Sequence, residues 1–354
     1  MKKIKKYALA GVNIAEGDAA SKLAGKFAAA TFAGRHGRIG KPVKLPGGFA
    51  GVLDFGNPRS KSGAGFYLVM GDDGVGTKME VAERMRKFGT LGSDLLAMVA
   101  DDAVCLGAEV VAITNTLDTP KVSKKIVGEL LKGLAKSCEK EKIAIAGGEI
   151  AEVGKAVNGM VWNATAIGVV EKKKIILGNK IRAGDTVIAL KEDGLRSNGF
   201  SLARKILHDK FGANYHRHFF GAKRWGEWLL TPSRIYHGGI LELIGRFGEQ
   251  RKVEVRGIAH ITGGGIGGNL PRILPKNFGA RLTNLWKPPA FVRELIRIGK
   301  IPTEEAREVW NLGNGMLLII ASKDIDRTLE ILRKRKIPAR IAGEITKSGK
   351  IEIE

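Results

Sequence analysis

The stretch FYLVMGDDGVGTK, residues 66–78, constrains this 354-residue chain more than any other. Phe66, Tyr67, Leu68, Val69 and Met70 form an apolar run of strand length, and Gly71 breaks it, so the pattern predicts a short buried strand. Asp72 and Asp73 should then emerge at the strand end, followed by Gly74, Gly76, Thr77 and Lys78. Glycines let backbone amides approach phosphate oxygens, a lysine supplies a point charge, and a carboxylate can hold Mg²⁺. The spacing is not GxxxxGK[ST], so on its own the stretch reads either as a tight turn or as a nucleotide site.

The chain is longer than a typical single domain, and its 44% hydrophobic residues suffice for two cores. The basic turn at Lys172, Lys173 and Lys174 and the glycine-flanked stretch after it predict a boundary, giving domains 1–172 and 173–354. Cys105 and Cys138 both fall on expected helices, which argues against a disulfide framework and for the reducing cytoplasm. No apolar run reaches membrane-spanning length. The formal charge of +23 raises polyanions as partners, yet the clusters at 172–174, 251–256 and 333–336 carry no nucleic-acid motif and read as solvated faces.

Along the chain, Ala19, Leu23, Phe27 and Ala30 predict an amphipathic helix over 17–32, and 34–65 reads as loop with a strand island at 49–55. Ser93 is the expected N-cap of a helix running to 106, with Leu95, Met98, Val99 and Cys105 facing a core. Asp94 and Asp101 share nearly one face of that helix and Asp102 sits a step round, a set able either to surround a divalent ion or to face water. Strand, helix and strand follow at 110–114, 122–138 and 143–146, the last expected to be buried and to deliver Glu149 at its end. Another strand lies within 159–171.

In the second half, strand 186–190 precedes Ser197, Asn198 and Gly199 at a helix start, and a helix is expected over 232–247. The glycines of ITGGGIGGN, 261–269, suggest a backbone cradle for an anion. His260 reads as a packed histidine, and His208, His216 and His218 as surface loop.

These features together resemble the aminoimidazole ribonucleotide synthetase family, also called phosphoribosylformylglycinamidine cyclo-ligase. The resemblance runs from about residue 10 to the C-terminus on AGVNIAEGDAA, DGVGTK, GSDLLAMVADDAVCLGAE, AIAGGEIAE, AIGVVEK, SNGFSLARKIL, LLTPSRIY, IAHITGGGIGGNLPRILP and NLGNGM, in the family's order. It implies an α/β (α+β) chain whose N-terminal mixed sheet, with its helices, pairs into a barrel across a homodimer, and whose C-terminal domain is α/β layered. It further implies ATP and Mg²⁺ as cofactors and a ribonucleotide substrate, formylglycinamidine ribonucleotide. The substrate's amide oxygen is phosphorylated, and ring closure then expels phosphate.

Carried over by motif, Lys78, Asp94 and Glu149 are the implied catalytic residues, and Asp73, Gly74, Gly76, Thr77, Lys78 and Asp94 hold ATP. Asp73, Asp94 and Asp102 are the implied metal ligands; Arg196, Ser197, Asn198, Thr262, Gly263, Gly264 and Gly265 line the substrate side. Replacing Asp94 or Lys78 is then expected to abolish turnover with the fold intact. The sequence departs from the family at Asp72, at Asp101 where asparagine is frequent, at Asn115, and at Arg196 in place of a histidine. Arg196 would install a permanent anion binder. Other ATP-using members of the superfamily (thiamine-monophosphate kinase, selenophosphate synthetase and hydrogenase-maturation types) and a non-catalytic basic RNA-binding protein or scaffold are the alternatives.

Overall fold

A computed structural model of the chain describes residues 6–10, 14–44, 49–56 and 65–354. The first half builds a six-stranded mixed sheet from β1 (Lys41–Pro42), β2 (Gly51–Asp54), β3 (Phe66–Gly74), β4 (Glu109–Thr119), β5 (Ala144–Glu152) and β6 (Val161–Glu171), ordered β1-β2-β3-β6-β4-β5. Neighbours are antiparallel except β4 and β5, which run parallel because the helix Lys124–Glu141 crosses between them. The second half contributes β7 (Thr186–Lys191), a small hairpin of β8 (Phe219–Phe220) and β9 (Lys223–Arg224), β10 (Val255–His260), β11 (Gly279–Leu282), β12 (Asn314–Ile320), β13 (Ala339–Thr346) and β14 (Ile351–Ile353). Its six-stranded sheet has the order β10-β12-β7-β13-β11-β14.

The two sheets differ in how they are covered. Every residue of β12 is buried, with Met316, Leu318 and Ile320 in a core on one face and Leu317 and Ile319 in a core on the other. A strand covered on both faces reads as a continuous apolar run, as NGMLLII does. In β6, by contrast, Trp162, Ala164, Ala166 and Val170 alternate inward while the opposite positions stay accessible. On that open face Met70 and Val161 are exposed, and Val111 at the β4 bulge is uncovered as well; Ile145 and Ile150 are exposed on the edge strand β5 but lie beside the buried Ile113 and Leu117 of the other face.

The helix Leu91–Cys105 sits between the halves, with nearly every side chain buried, as an apolar surface all round a helix requires. It packs on β3 and β6 and also on β10 and the helix His237–Ile244. Its crossing with Lys124–Glu141 is close enough that a Cβ on Gly92 would stand 2.1 Å from the Leu134 nitrogen, so glycine is needed there.

Several expectations shift. β3 does not break at Gly71: it pairs with β6 through Gly74, so Asp72 and Asp73 lie within the strand. Ser93 is inside the helix rather than its N-cap, and its hydroxyl pairs with that of Ser137 at 2.9 Å. β5 runs through the GGE motif as an exposed edge strand, placing Glu149 mid-strand opposite Thr116. The helix expected over 232–247 forms only at His237–Ile244, because backbone amides at 233, 236 and 237 donate to carboxylates of another helix. The N-terminal helix occupies Ile14–Ala30, with Leu23 and Phe27 exposed. Residues 11–13 of the AGVNIAEGDAA motif, and 45–48 and 57–64 of the expected loop, lie outside the described residues. His216 is buried, unlike the surface position expected of it.

Candidate active site

β3 and the glycine turn after it lead into the helix Lys78–Met85. Gly76 takes φ +52°, a left-handed conformation that glycine adopts without penalty. The turn lies against the second half: a Cβ on Gly76 would meet the Ser197 carbonyl at 3.4 Å, and one on Gly263 would meet Asn198 Oδ1 at 3.3 Å. DGVGTK, SNG and TGGG, far apart in sequence, therefore face one cleft.

Asp73 and Asp102 form the acidic side of that cleft. Burial pushes the Asp73 carboxyl up to about 6; the Gly74 amide, bonded to its Oδ1 at 2.7 Å, opposes this, and nearby Asp102 adds to it. Asp102 Oδ1 lies 2.7 Å from Nδ1 of the fully buried His260. His260 Nε2 is also buried and has no hydrogen-bond partner among the described residues. His260 is buried as a packed histidine would be, and its carboxylate partner comes from the other half of the chain. Its position just before ITGGG was the available signal.

Asp94 goes elsewhere. Its Oδ1 accepts from Lys78 Nζ at 2.7 Å, from the Ser233 amide at 2.8 Å and from the Ser233 hydroxyl at 2.6 Å. Lys78 Nζ also donates to the Thr231 carbonyl at 2.7 Å. Both side chains are fully enclosed. Among the described residues no three acidic or ligating side chains come together as a metal site. The expected Asp73, Asp94 and Asp102 set thus divides into an acidic pair in the cleft and a buried ion pair beneath it.

On the substrate side, Ser197 Oγ and Asn198 Nδ2 are buried without partners among the described residues, as groups awaiting a ligand would be. The TGGG turn is less open than expected: the Gly264 amide donates to Glu308 O at 2.9 Å and the Gly265 amide to Thr262 O at 3.0 Å. Those two donors are not available to an anion, and the helix that follows, Gly265–Asn269, is barely one turn. Arg196 requires the largest correction. It is fully buried, and both Nη nitrogens are committed to Asp101, Glu192 and two backbone carbonyls; Nε alone has no partner among the described residues. Glu149 is exposed on the edge strand, apart from the other candidates.

Both halves of the chain are similar to known proteins. The AIR synthase related protein N-terminal domain matches residues 48–170 and its C-terminal domain matches 182–354. The chain is 40% identical to a phosphoribosylformylglycinamidine cyclo-ligase of Thermococcus gammatolerans, covering 98% of this chain and 97% of the relative. It is 41% identical to that of Pyrococcus furiosus, covering 93% and 91%. A crystal structure of a HypE–HypF complex shares the fold at 17% identity with a TM-score of 0.59, covering 87% of this chain and 90% of that one. The chain belongs to the AIR synthase related family, among the phosphoribosylformylglycinamidine cyclo-ligases.

Proposed function

We propose that this chain closes the imidazole ring of aminoimidazole ribonucleotide from formylglycinamidine ribonucleotide in purine biosynthesis, consuming ATP and releasing ADP and phosphate. The observation that carries the reading is the cleft where an acidic strand end meets Ser197 and Asn198, in a chain similar along almost its whole length to cyclo-ligases. Amide oxygen is a poor leaving group. Transfer of the γ-phosphoryl of ATP to that oxygen makes it phosphate, attack by the amidine nitrogen on the same carbon closes the ring, and the C–O bond breaks as phosphate departs. Phosphoryl transfer depends mainly on positioning and charge neutralisation.

Asp73 and Asp102 suit Mg²⁺, which is held by one or two carboxylates plus substrate phosphates rather than by an all-protein cage. Asp73 and Asp102 would hold it, and its charge would offset that of the phosphates. Gly74, Gly76 and Thr77 lie where backbone can approach the phosphates. Ser197, Asn198 and Thr262 line the ribonucleotide side. Lys78 and Asp94, each enclosed by the other, hold the start of the helix after the glycine turn and so act by positioning. The purified protein with ATP, Mg²⁺ and formylglycinamidine ribonucleotide is expected to form ADP and imidazole product in equal amounts; ADP formation independent of the ribonucleotide would overturn the reading.

The open face of the first sheet supports pairing into a dimeric barrel. Met70 and Val161 leave apolar surface uncovered on it, and β5, with Ile145 and Ile150 exposed, leaves an unpaired edge. The units meet at about residue 172, and both free, buried cysteines suit the reducing cytoplasm. Val161→Lys and Met70→Lys together should convert the dimer to monomer in size-exclusion chromatography with light scattering; an unchanged dimer mass would exclude this face as the interface.

A further inference from the structure

Among the described residues, Arg196, Asp101 and Glu192 form a fully buried charge network not already placed in the cleft. One guanidinium nitrogen, Nη2, donates to Asp101 Oδ2 at 2.7 Å and to the Ala97 carbonyl at 3.2 Å, both on the helix Leu91–Cys105. The other, Nη1, donates to Glu192 Oε2 at 2.9 Å and to the Arg234 carbonyl at 3.0 Å. The guanidinium also lies 5.3 Å from the Tyr236 ring centroid. The two carboxylates tie in further backbone: Asp101 Oδ1 accepts the amides of Tyr236 and His237, and Glu192 Oε1 those of Asp193 and Gly194. Arg196, Asp101 and Glu192 are all fully buried.

The backbone at this point is constrained in a second way. Arg196 has φ +56°, a left-handed conformation that a side-chain-bearing residue rarely adopts. Gly199, three residues on, has φ +73°, and a Cβ there would stand 2.2 Å from the Trp310 indole nitrogen. Such conformations persist only where the surroundings over-determine them, and they concentrate at functional sites. Between these two fixed points lie Ser197 and Asn198, whose Oγ and Nδ2 have no protein partner among the described residues.

We infer that Arg196 is a positioning residue: by clamping Asp101 and Glu192 together through its two Nη nitrogens it fixes the Ser197–Asn198 turn to the helix that carries Asp102, and so sets affinity on the ribonucleotide side through that turn. Arginine is required because its planar fork reaches acceptors in both halves of the chain, whereas a lysine ammonium keeps the charge and loses the bridge. Asp101→Asn retains an oxygen for the Tyr236 and His237 amides and loses only the arm to Arg196. Two of the positions at which the sequence departs from the family's pattern, 101 and 196, are bonded to each other and form one unit.

This inference rests on the proposed reaction, and its test separates the two. Steady-state kinetics of Arg196→Lys, Asp101→Asn and the double variant should each show KM for the ribonucleotide raised about tenfold, with kcat and KM for ATP changed by less than about threefold, the signature of lost ground-state orientation. The double variant should fall within about threefold of either single one, because both remove the same clamp. A lowered Tm with unchanged ribonucleotide KM, or single effects that multiply in the double variant, would overturn the inference. Should Arg196→Lys fail to fold, Asp101→Asn carries the test. Should the wild-type protein not turn over the ribonucleotide, the proposed reaction fails by itself. Amide hydrogen exchange of residues 197–200 in the unliganded protein then decides: about tenfold faster exchange in Asp101→Asn supports the clamp, and unchanged exchange overturns it.

Discussion

Asp73→Asn is expected to slow turnover by about 10²–10³-fold, the range found when one preorganised charge-stabilising group is removed from an active site. It should do so without loss of stability. Asn keeps an Oδ1 for the Gly74 amide, which donates to Asp73 at 2.7 Å. What it removes is a negative charge that burial and neighbouring Asp102 both disfavour. A carboxyl whose folded pKa is raised loses stability as pH climbs from its unfolded pKa through the folded one, here from 3.8 to about 6. At pH 7 the metal-free wild type bears that full loss, and the amide variant escapes it. Tm of the metal-free variant should therefore equal or exceed that of the wild type while activity collapses, the opposed movement expected where a site is built at the expense of stability. A second readout needs no turnover: Mg²⁺ with ATP should raise the wild-type Tm more than that of Asp73→Asn. Equal shifts in both proteins would remove Asp73 from the proposed metal site, and a wild-type rate would remove it from the mechanism.

The parts of the fold that follow strict periodicity were legible in the sequence. β12 was readable because an unbroken apolar run has few alternatives to a doubly covered strand, and Leu95, Met98 and Val99 because their spacing is helical. Long-range partners were not. Asp94, Asp101 and Asp102 lie on one helix, and local spacing could not show that they would meet Lys78, Arg196 and His260 respectively. Two of those partners come from the other half of the chain, and the third from a turn sixteen positions upstream. Glu149 was misplaced for a related reason: β5 reads as apolar, but as an edge strand it is exposed, and neighbouring strands rather than its own sequence decide that. Arg196 shows the same limit most clearly. Its charge pointed to an external anion, while the structure supplies two carboxylates from within.

Lys78→Met is expected to lower stability by about 3–5 kcal/mol, the cost of breaking a buried ion pair by removing one partner. For a chain of two such halves this corresponds to a fall in Tm of roughly 10 °C. The motif by itself leads to the expectation that replacing Lys78 abolishes turnover with the fold intact. In the structure Lys78 is fully enclosed, and its loss leaves Asp94 Oδ1 with the Ser233 donors alone and Thr231 O without its donor. Asp94 Oδ2 is already buried without a partner among the described residues, so the carboxylate has little capacity to adapt. Lys78→Met combined with Asp94→Asn separates charge from packing. The amide retains an acceptor for the Ser233 amide and leaves no uncompensated charge, so the double variant should regain at least about half of the lost stability. Turnover should not return with it, because the ion pair anchors the first residue of the helix after the glycine turn, and a thioether chain cannot hold that turn to Asp94 and Thr231. Denaturant unfolding of the three proteins, read with ADP release, tests both halves of this expectation. A double variant as unstable as the single one would show that packing rather than charge dominates, and restored turnover would show that the glycine turn holds its geometry without Lys78.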